Sequence, residues 1–246
     1  MSFKNKVVLV TGGASGLGLA IAQELAGQGA LLVITGRRQA PLDEALKSLG
    51  EQAIAVKADV SSLSDLTALF SQIKDHHGRL DVLVANAGKG ELEPLGAITE
   101  ASFERIFATN VKGVTFTVQG ALPLMGKGGS IVIIGSTASI NPGPGLSVYA
   151  GTKAALRALV RSWVVDIKGS GVRINLLSPG PVNTESLHDM LGDHAQDVIA
   201  SLSEKSTLGR IGQASEIGTA VAFLASDASS YINGVELFAD GGASQI

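Results

Sequence analysis

A glycine-rich loop between an apolar run and a helical segment constrains the fold of this chain most. The run is residues 7–10, the loop 11–18 reads Thr-Gly-Gly-Ala-Ser-Gly-Leu-Gly, and the apolar residues of 19–26 recur at helical spacing. Glycines let the backbone pass close to a diphosphate, and the amides at the start of the following helix attract it. A plain tight turn is the alternative, but a strand before the loop and a helix after it favour a dinucleotide site.

Six further apolar runs alternate with helical segments along the rest of the chain. The other predicted strands are 31–35, 53–58, 81–85, 131–134, 172–177 and 234–239. The other predicted helices are 41–49, 64–77, 99–125, 148–168 and 216–224. This alternation predicts an α/β fold, a Rossmann-type doubly wound parallel sheet of about seven strands with helices on both faces. No break in composition divides residues 1–246, so they are predicted to form a single dinucleotide-binding catalytic domain.

The residues about 20 positions past the glycines indicate which dinucleotide is bound. This window holds Arg37 and Arg38. A carboxylate here would accept hydrogen bonds from the 2′-hydroxyl of NAD and repel a 2′-phosphate, whereas guanidinium groups bind phosphate. The two arginines therefore predict NADP as the cofactor. The alternative is that they are solvated loop cations without a ligand.

A phenol, an ammonium and a hydroxyl are expected to meet at one edge of the sheet. Tyr149 and Lys153 are four residues apart, so a helix places them on one face, about 5–6 Å apart at Cβ. Ser136 follows the strand 131–134, at the carboxyl edge where open α/β sheets bind ligands. At about 5 Å and an effective dielectric near 20, the ammonium would favour tyrosinate by about two pKa units. Tyr149 is thus predicted to act as a general acid or base.

Composition excludes several other classes of protein. Apolar residues make up 45% of the chain and charged residues 17%, which excludes a disordered chain. A net charge of −3 with no larger basic cluster than Arg37-Arg38 disfavours a nucleic-acid partner. Cysteine is absent and the four histidines lack zinc-site spacing, so no metal is predicted. No apolar run approaches the roughly 18 residues that span a membrane, so a cytoplasmic protein without a membrane partner is expected.

Two polar side chains leave alternatives open. Asn110 interrupts the amphipathic stretch 99–125, for which Thr99 is a plausible cap, and predicts either a local kink or a bound water. Asp59 follows the third strand and could bind the adenine amino group or cap the next turn. The small turn 86–88 after the fourth strand suits a ribose lying against the backbone.

Two segments are predicted to serve purposes beyond the dinucleotide fold. Residues 185–207 lack strand character, which predicts a lid over a partly apolar substrate, with a surface excursion as the alternative. The lid's apolar residues are Leu187, Met190, Leu191, Val198, Ile199 and Leu202. Helix 148–168 is apolar nearly all round, which predicts a second buried face and hence a subunit interface.

The chain closely resembles the classical short-chain dehydrogenase/reductase family over essentially its whole length. The resemblance is carried by the loop 11–18, the Asn-Ala-Gly turn 86–88, Asn110, Ser136, Tyr149 with Lys153, and Pro179-Gly180. It implies hydride transfer between a nicotinamide and a ketone, aldehyde or secondary alcohol. Tyr149 would donate the proton and Ser136 would hydrogen-bond the carbonyl oxygen. Lys153 would lower the pKa of the tyrosine and hold the nicotinamide ribose, and Asn110 would bind a water that relays protons.

The resemblance also implies the cofactor contacts and the assembly. With Arg37 and Arg38, the cofactor-binding residues would be Gly12, Ser15, Gly16, Leu17, Gly18, Asp59, Val60, Asn86, Gly88, Tyr149, Lys153, Pro179, Gly180, Val182 and Thr184. Asp59, Val60, Asn86 and Gly88 would line the adenine and ribose, and Val182 and Thr184 would meet the carboxamide. Family members are usually homotetramers built through helices matching 101–125 and 150–168, so a homotetramer is expected.

Two departures from the family pattern keep other functions open. NADP enzymes of the family often carry a basic residue where this chain has Ser15, so NAD remains an alternative cofactor. Carrier-protein reductases dock an acidic partner through arginines; Lys127 could replace one, but Ser170 stands near the place of another. An enzyme like 3-oxoacyl-carrier-protein reductase is therefore a less favoured alternative. The alternative from another class is a non-catalytic protein that senses dinucleotides.

Overall fold

A parallel sheet forms the centre of the molecule in the computed structural model, which describes residues 2–192 and 195–244. The strands are β1 (Val7–Thr11), β2 (Leu31–Gly36), β3 (Ala53–Lys57), β4 (Val82–Ala85), β5 (Ser130–Ile134), β6 (Arg173–Pro179), β7 (Val182–Asn183), β8 (Gly212–Gln213) and β9 (Glu236–Ala239). The main sheet has seven strands in the order β3-β2-β1-β4-β5-β6-β9, all parallel. The predicted seven-stranded fold is confirmed.

Helices cover both faces of this sheet. They are α1 (Gly16–Gly27), α2 (Gln39–Leu49), α3 (Leu63–His77), α4 (Glu100–Phe107), α5 (Val114–Ala121), α6 (Ser147–Asp166), α7 (Glu185–Leu191), α8 (Ala195–Lys205) and α9 (Ala214–Ala225). Successive strand residues point to opposite faces, so Val8 packs with α1, α2 and α9, whereas Leu9 packs with α3, α5 and α6. Each strand therefore reads as a continuous apolar run rather than an alternating one.

The predicted helix 99–125 is divided by a π-helical turn. Thr99 caps α4, as expected, because its hydroxyl accepts a hydrogen bond from the Ser102 N–H. The turn Ala108–Gly113 then links α4 to α5, and a 3₁₀ turn at Leu122–Leu124 ends the segment. Asn110 lies in the π-helical turn, so the predicted kink is confirmed. The interruption predicted at Asn110 lies where the backbone widens and the Asn110 amide bonds outside the helix.

A second, two-stranded parallel sheet joins the ends of the predicted lid. Val182 pairs with Gly212 and Asn183 with Gln213, so β7 and β8 form the neck of the segment that carries α7 and α8. Positions 193 and 194 of the predicted lid lie outside the described residues. Strands of two residues are too short to show a period, which is why the sequence did not reveal them.

Membrane spans and metal-binding clusters are both absent from residues 2–192 and 195–244. No helix there combines the length and apolar character needed to cross a bilayer. No group of three or more His, Asp or Glu side chains in these ranges is placed to hold a metal ion.

Candidate active site

The parallel strands bring the site residues predicted from the sequence to one edge of the sheet. Every strand of a parallel sheet points the same way, so all carboxyl ends meet at that edge. The residues that follow β1, β2, β3, β4, β5 and β6 include Gly12, Arg37, Asp59, Asn86, Ser136 and Gly180, respectively. The strand order reverses between β1 and β4, and open α/β sheets bind ligands at such a point.

Three positions of the glycine loop require glycine. Gly12 and Gly16 have φ angles of 65° and 53°, which favour glycine. A Cβ atom on Gly18 would lie 2.0 Å from the Gly12 carbonyl oxygen and 2.6 Å from Nδ2 of Asn86. Ser15 precedes α1 without capping it through its side chain, so the first amides of the helix face the loop without a side-chain acceptor. The loop therefore fits a diphosphate.

Asn86 fastens the turn after β4 to the glycine loop. Its Nδ2 donates to the carbonyl oxygens of Thr11 and Gly12, at 2.9 and 3.3 Å. The Thr11 hydroxyl accepts hydrogen bonds from the N–H groups of Asn86 and Ala87, both at 3.0 Å. The Asn86 side chain thus holds the two loops in register, and Gly88 of the same turn faces Lys153, since a Cβ there would lie 3.4 Å from Nζ.

The structure brings Lys153 and Tyr149 together on α6. The Lys153 side chain is buried, with 4% of the residue exposed, and its Nζ donates to the Ile134 carbonyl oxygen at 2.8 Å. Nζ lies 5.6 Å from the centroid of the Tyr149 ring. Burial lowers the pKa of Lys153 to about 8, because removal from water disfavours its charged form.

The pKa of Tyr149 shifts in the direction opposite to the one expected. Burial raises it, because the phenolate would lose more hydration than the phenol, and the Ser136 hydroxyl opposes this with a smaller effect. The prediction that Lys153 lowers the pKa of this tyrosine is therefore wrong for the structure. The Lys153 ammonium donates its hydrogen bond to the Ile134 carbonyl rather than to the Tyr149 hydroxyl. Tyr149 is protonated at neutral pH and can donate a proton.

Asn110 is buried and engaged entirely with protein groups. Its Oδ1 accepts from the Lys89 N–H at 2.8 Å, and its Nδ2 donates to the Lys89 carbonyl at 2.8 Å and to the Thr152 hydroxyl at 3.0 Å. An amide group has two N–H donors, and both are used here. Asn110 therefore ties the loop after β4 to α6, next to Tyr149 and Lys153.

The arginines and Asp59 at the β2–β3 end of the sheet differ in their surroundings. Arg37 and Arg38 are exposed, and neither pairs with a carboxylate in the described part of the chain. The Asp59 carboxylate accepts hydrogen bonds from the Ser61 N–H and hydroxyl, at 2.9 and 2.7 Å, so it closes the following turn. Val60 beside it is buried. Of the two alternatives for Asp59, the structure shows the turn.

The residues after β6 connect the sheet edge to the segment 185–207, the predicted lid. A Cβ on Gly180 would lie 2.8 Å from the Asp240 Cβ, so only glycine lets this loop cross the chain after β9. Pro179 ends β6, and Val182 is buried in β7. Thr184 caps α7, because its hydroxyl accepts from the Leu187 N–H. Thr184 therefore precedes the first helix of the segment predicted to be a lid.

A loop that the sequence did not single out packs against Tyr149. A Cβ on Gly90 would lie 3.4 Å from Cδ2 of Tyr149. Glu91 pairs with Lys89 and with Arg105 of α4, the latter through both carboxylate oxygens at 3.0 and 2.7 Å. These cations lower the pKa of Glu91 to about 2. Glu91 lies in a loop and Arg105 on α4, so no helical or strand spacing in the sequence indicates this pair.

The fold and this edge define a Rossmann-type oxidoreductase that uses a nicotinamide dinucleotide. A family model described as enoyl-(acyl carrier protein) reductase matches residues 12–244. The chain belongs to the short-chain dehydrogenase/reductase family, as the resemblance of its motifs predicted.

Relatives and solved structures of this family match almost the full chain. An oxidoreductase of Sarocladium schorii is 44% identical, over 98% of this chain and 96% of its own. A hydroxynaphthalene reductase-like protein of Metarhizium anisopliae is 34% identical, over 98% of this chain and 96% of its own length. A crystal structure of a short-chain dehydrogenase/reductase from Brucella melitensis, titled glucose/ribitol dehydrogenase, superimposes with a TM-score of 0.93 at 30% identity and covers 99% of both chains.

Proposed function

We propose that this chain is an NADP-dependent reductase of ketones or aldehydes that also oxidises secondary alcohols. The observation that supports this most is that the half-buried Tyr149 and the buried Lys153 lie together, beside Ser136, at the edge that carries the glycine loop. The family's nicotinamide cofactor, when bound, supplies the hydride. Tyr149 donates the proton to the substrate oxygen, and the Ser136 hydroxyl hydrogen-bonds the same oxygen as negative charge develops on it.

Lys153 and Asn110 would support this reaction from α6 and the π-helical turn. Lys153, beside Gly88, would hold the nicotinamide ribose, and Asn110 would keep the loop at Lys89 against α6. The water relay at Asn110 remains a prediction. Burying an ammonium costs stability, so the buried Lys153 favours an enzyme over the alternative of a non-catalytic dinucleotide sensor.

An apolar ring ketone is the substrate class that we favour. Leu92 and Ile140 are exposed large hydrophobic residues on the loops after β4 and β5, which flank the catalytic residues. Exposed apolar side chains at a binding edge indicate an apolar ligand. The hydroxynaphthalene reductase-like relative agrees with this class, whereas the glucose/ribitol dehydrogenase title favours a polyol as a second candidate. We propose that α7 and α8, joined at their neck by β7 and β8, close over the ligand as a lid.

Turnover with a matched panel of carbonyl compounds tests this substrate class. We expect NADPH to be consumed with bicyclic aromatic ketones at a kcat/KM at least about tenfold above that for sugar aldehydes, since each extra buried methylene contributes a factor of about ten or more. The measurement is NADPH absorbance under initial-rate conditions. A preference for sugars would support the polyol candidate. If none of the carbonyl compounds led to NADPH consumption, the result would support the dinucleotide sensor.

Arg37 and Arg38 are proposed to select NADPH. Both are exposed after β2, where the adenosine ribose of a bound dinucleotide would lie. We expect the wild type to bind NADPH at least about tenfold more tightly than NADH, since one charge-assisted hydrogen bond contributes about 1.5–3 kcal/mol. Arg37→Asp should weaken NADPH binding by about 10–100-fold without weakening NADH binding, because the new carboxylate repels a 2′-phosphate but can accept a hydrogen bond from a free 2′-hydroxyl. Fluorescence titration measures both affinities.

A matched control for Arg37→Asp is Lys74→Asp. It makes the same change of charge in the last turn of α3, at the opposite edge of the sheet, and should leave both affinities unchanged. A wild type that binds NADH more tightly than NADPH would contradict the NADP proposal and favour NAD. Equal effects of the two substitutions would show that only net charge matters.

A homotetramer is the assembly that we propose. Val165 on α6 and Phe103 on α4 are exposed apolar residues on the two helices through which family members usually assemble. Burial of these side chains in a subunit interface would remove them from water, which supports the proposal. The cytoplasmic location and the carrier-bound acyl alternative both remain predictions.

A further inference from the structure

A single carboxylate joins three segments of the active site. Glu236 is the first residue of β9, and 12% of its side chain is exposed. Its Oε1 accepts hydrogen bonds from the hydroxyls of Ser178 and Ser139, at 2.7 and 3.3 Å. Its Oε2 forms an ion pair with Nε of Arg157. None of the functional roles assigned above uses this residue.

The Ser139 contact leads directly to Ser136. Ser139 ends the 3₁₀ turn Thr137–Ser139, and its N–H donates to the Ser136 carbonyl at 3.0 Å. In the same turn, the Ala138 N–H donates to the Ser136 hydroxyl at 3.1 Å. Glu236 therefore holds the far end of the turn that orients the Ser136 hydroxyl.

The other two contacts lead to the remaining parts of the site. Arg157 lies one helical turn after Lys153 on α6, so the ion pair fastens the helix that carries Tyr149 and Lys153. Ser178 precedes Pro179, and its Oγ would lie only 2.3 Å from a Cβ on Gly135, the residue before Ser136. The Ser178 hydroxyl thus fills the space beside Gly135, where the Glu236 carboxylate orients it.

We propose that Glu236 is a positioning residue that fixes the Ser136 turn relative to Tyr149 and Lys153, an inference that rests on the proposed function. Hydrogen bonds to a carboxylate are about twice as strong as neutral ones, so one buried anion can hold three segments at once. Displacement of a reacting group by about 1 Å can lower the rate about 100-fold. Without Glu236, the two serine hydroxyls and the guanidinium lose their common partner and the turn loosens.

Hydrogen exchange tests the turn without any substrate. In Glu236→Ala, we expect the amides of Ala138 and Ser139 to exchange at least about tenfold faster than in the wild type, because local opening becomes easier. The control is Asp81→Asn, whose carboxylate is 22% exposed and pairs with Arg79 at the opposite edge of the sheet. It should leave the exchange of both amides unchanged. Equal exchange in Glu236→Ala and the wild type would overturn the proposal.

Turnover then separates positioning from general stability. Glu236→Ala should lower kcat about 10–100-fold with little change in KM or in NADPH affinity, and Glu236→Gln should restore part of kcat through its carbonyl oxygen. In a Ser136→Ala background, Glu236→Ala should lower kcat less than about twofold, since residues that act through one another are not additive. If Glu236→Ala lowered kcat by the same factor in the Ser136→Ala background as in the wild type, the proposal would be overturned. Absence of turnover in the wild type would overturn the proposed function, while the exchange experiment would still decide whether Glu236 fixes the turn.

Discussion

Replacing Tyr149 by Phe is expected to lower the kcat of carbonyl reduction by about 10³-fold, within the range of 10²–10⁴ found for loss of a general acid. The substitution removes the hydroxyl and keeps the ring that packs beside Gly90 and Lys153. NADPH affinity should change by no more than about fivefold, the contribution of about one hydrogen bond. Initial rates with an accepted ketone and fluorescence titration of NADPH measure the two quantities.

The chain provides a matched control for this substitution. It contains two tyrosines, and Tyr231 is fully exposed just before β9, away from the carboxyl edge of the sheet. Tyr231→Phe should leave both kcat and NADPH affinity unchanged. Undiminished turnover in Tyr149→Phe would remove the proton donor from the proposed mechanism. A parallel loss of cofactor binding would instead assign Tyr149 a structural role.

Replacing Gly18 by Ala is expected to weaken NADPH binding at least about 100-fold and to lower the free energy of unfolding by about 3 kcal/mol, the upper end of ordinary overpacking. The added Cβ would lie 2.0 Å from the Gly12 carbonyl oxygen and 2.6 Å from Nδ2 of Asn86. Both contacts are shorter than van der Waals distance. Because α1 is packed against the core, the glycine loop itself must move, and its amides would leave the positions that suit a diphosphate.

Gly27 at the other end of the same helix supplies the control. A Cβ there meets nothing within 4 Å, and Gly27 is not among the glycines with positive φ. Gly27→Ala should therefore keep NADPH affinity and stabilise the fold by up to about 1 kcal/mol, because alanine restricts the unfolded chain. Urea unfolding and fluorescence titration of both variants provide the measurements. Unchanged NADPH binding in Gly18→Ala would contradict the assignment of this loop to the cofactor.

The Tyr149–Lys153 pair shows which properties of the site follow from local spacing and which do not. A separation of four residues correctly placed both side chains on one face of α6, because helix geometry is the same in every protein. The predicted direction of the tyrosine pKa shift was wrong, because burial by distant parts of the chain raises this pKa, and spacing along a helix does not reveal burial. Spacing along the helix determines which groups are neighbours, and packing in the folded chain determines their pKa values.

Glu236 and the β7–β8 sheet show what lies beyond sequence patterns. Glu236 contacts Ser139 across 97 positions of the chain, and β7 pairs with β8 through two residues on each side. Neither feature shows an apolar period by which the sequence would reveal it. Asn110 is intermediate, because its low helix propensity predicted a kink, whereas its bonds to Lys89 and Thr152 became visible only in the folded chain.

The sequence by itself determined the seven strands of the main sheet in their chain order, the glycine loop, and the set of polar residues at the carboxyl ends of these strands. It could do so because apolar periodicity, glycine conformation and helical spacing are local properties. The tertiary structure alone decided the direction of the Tyr149 pKa shift, the use of Asp59 in a turn, the pairing of β7 with β8 and the network around Glu236. These features depend on burial and on contacts between distant segments, which exist only after the sheet has assembled.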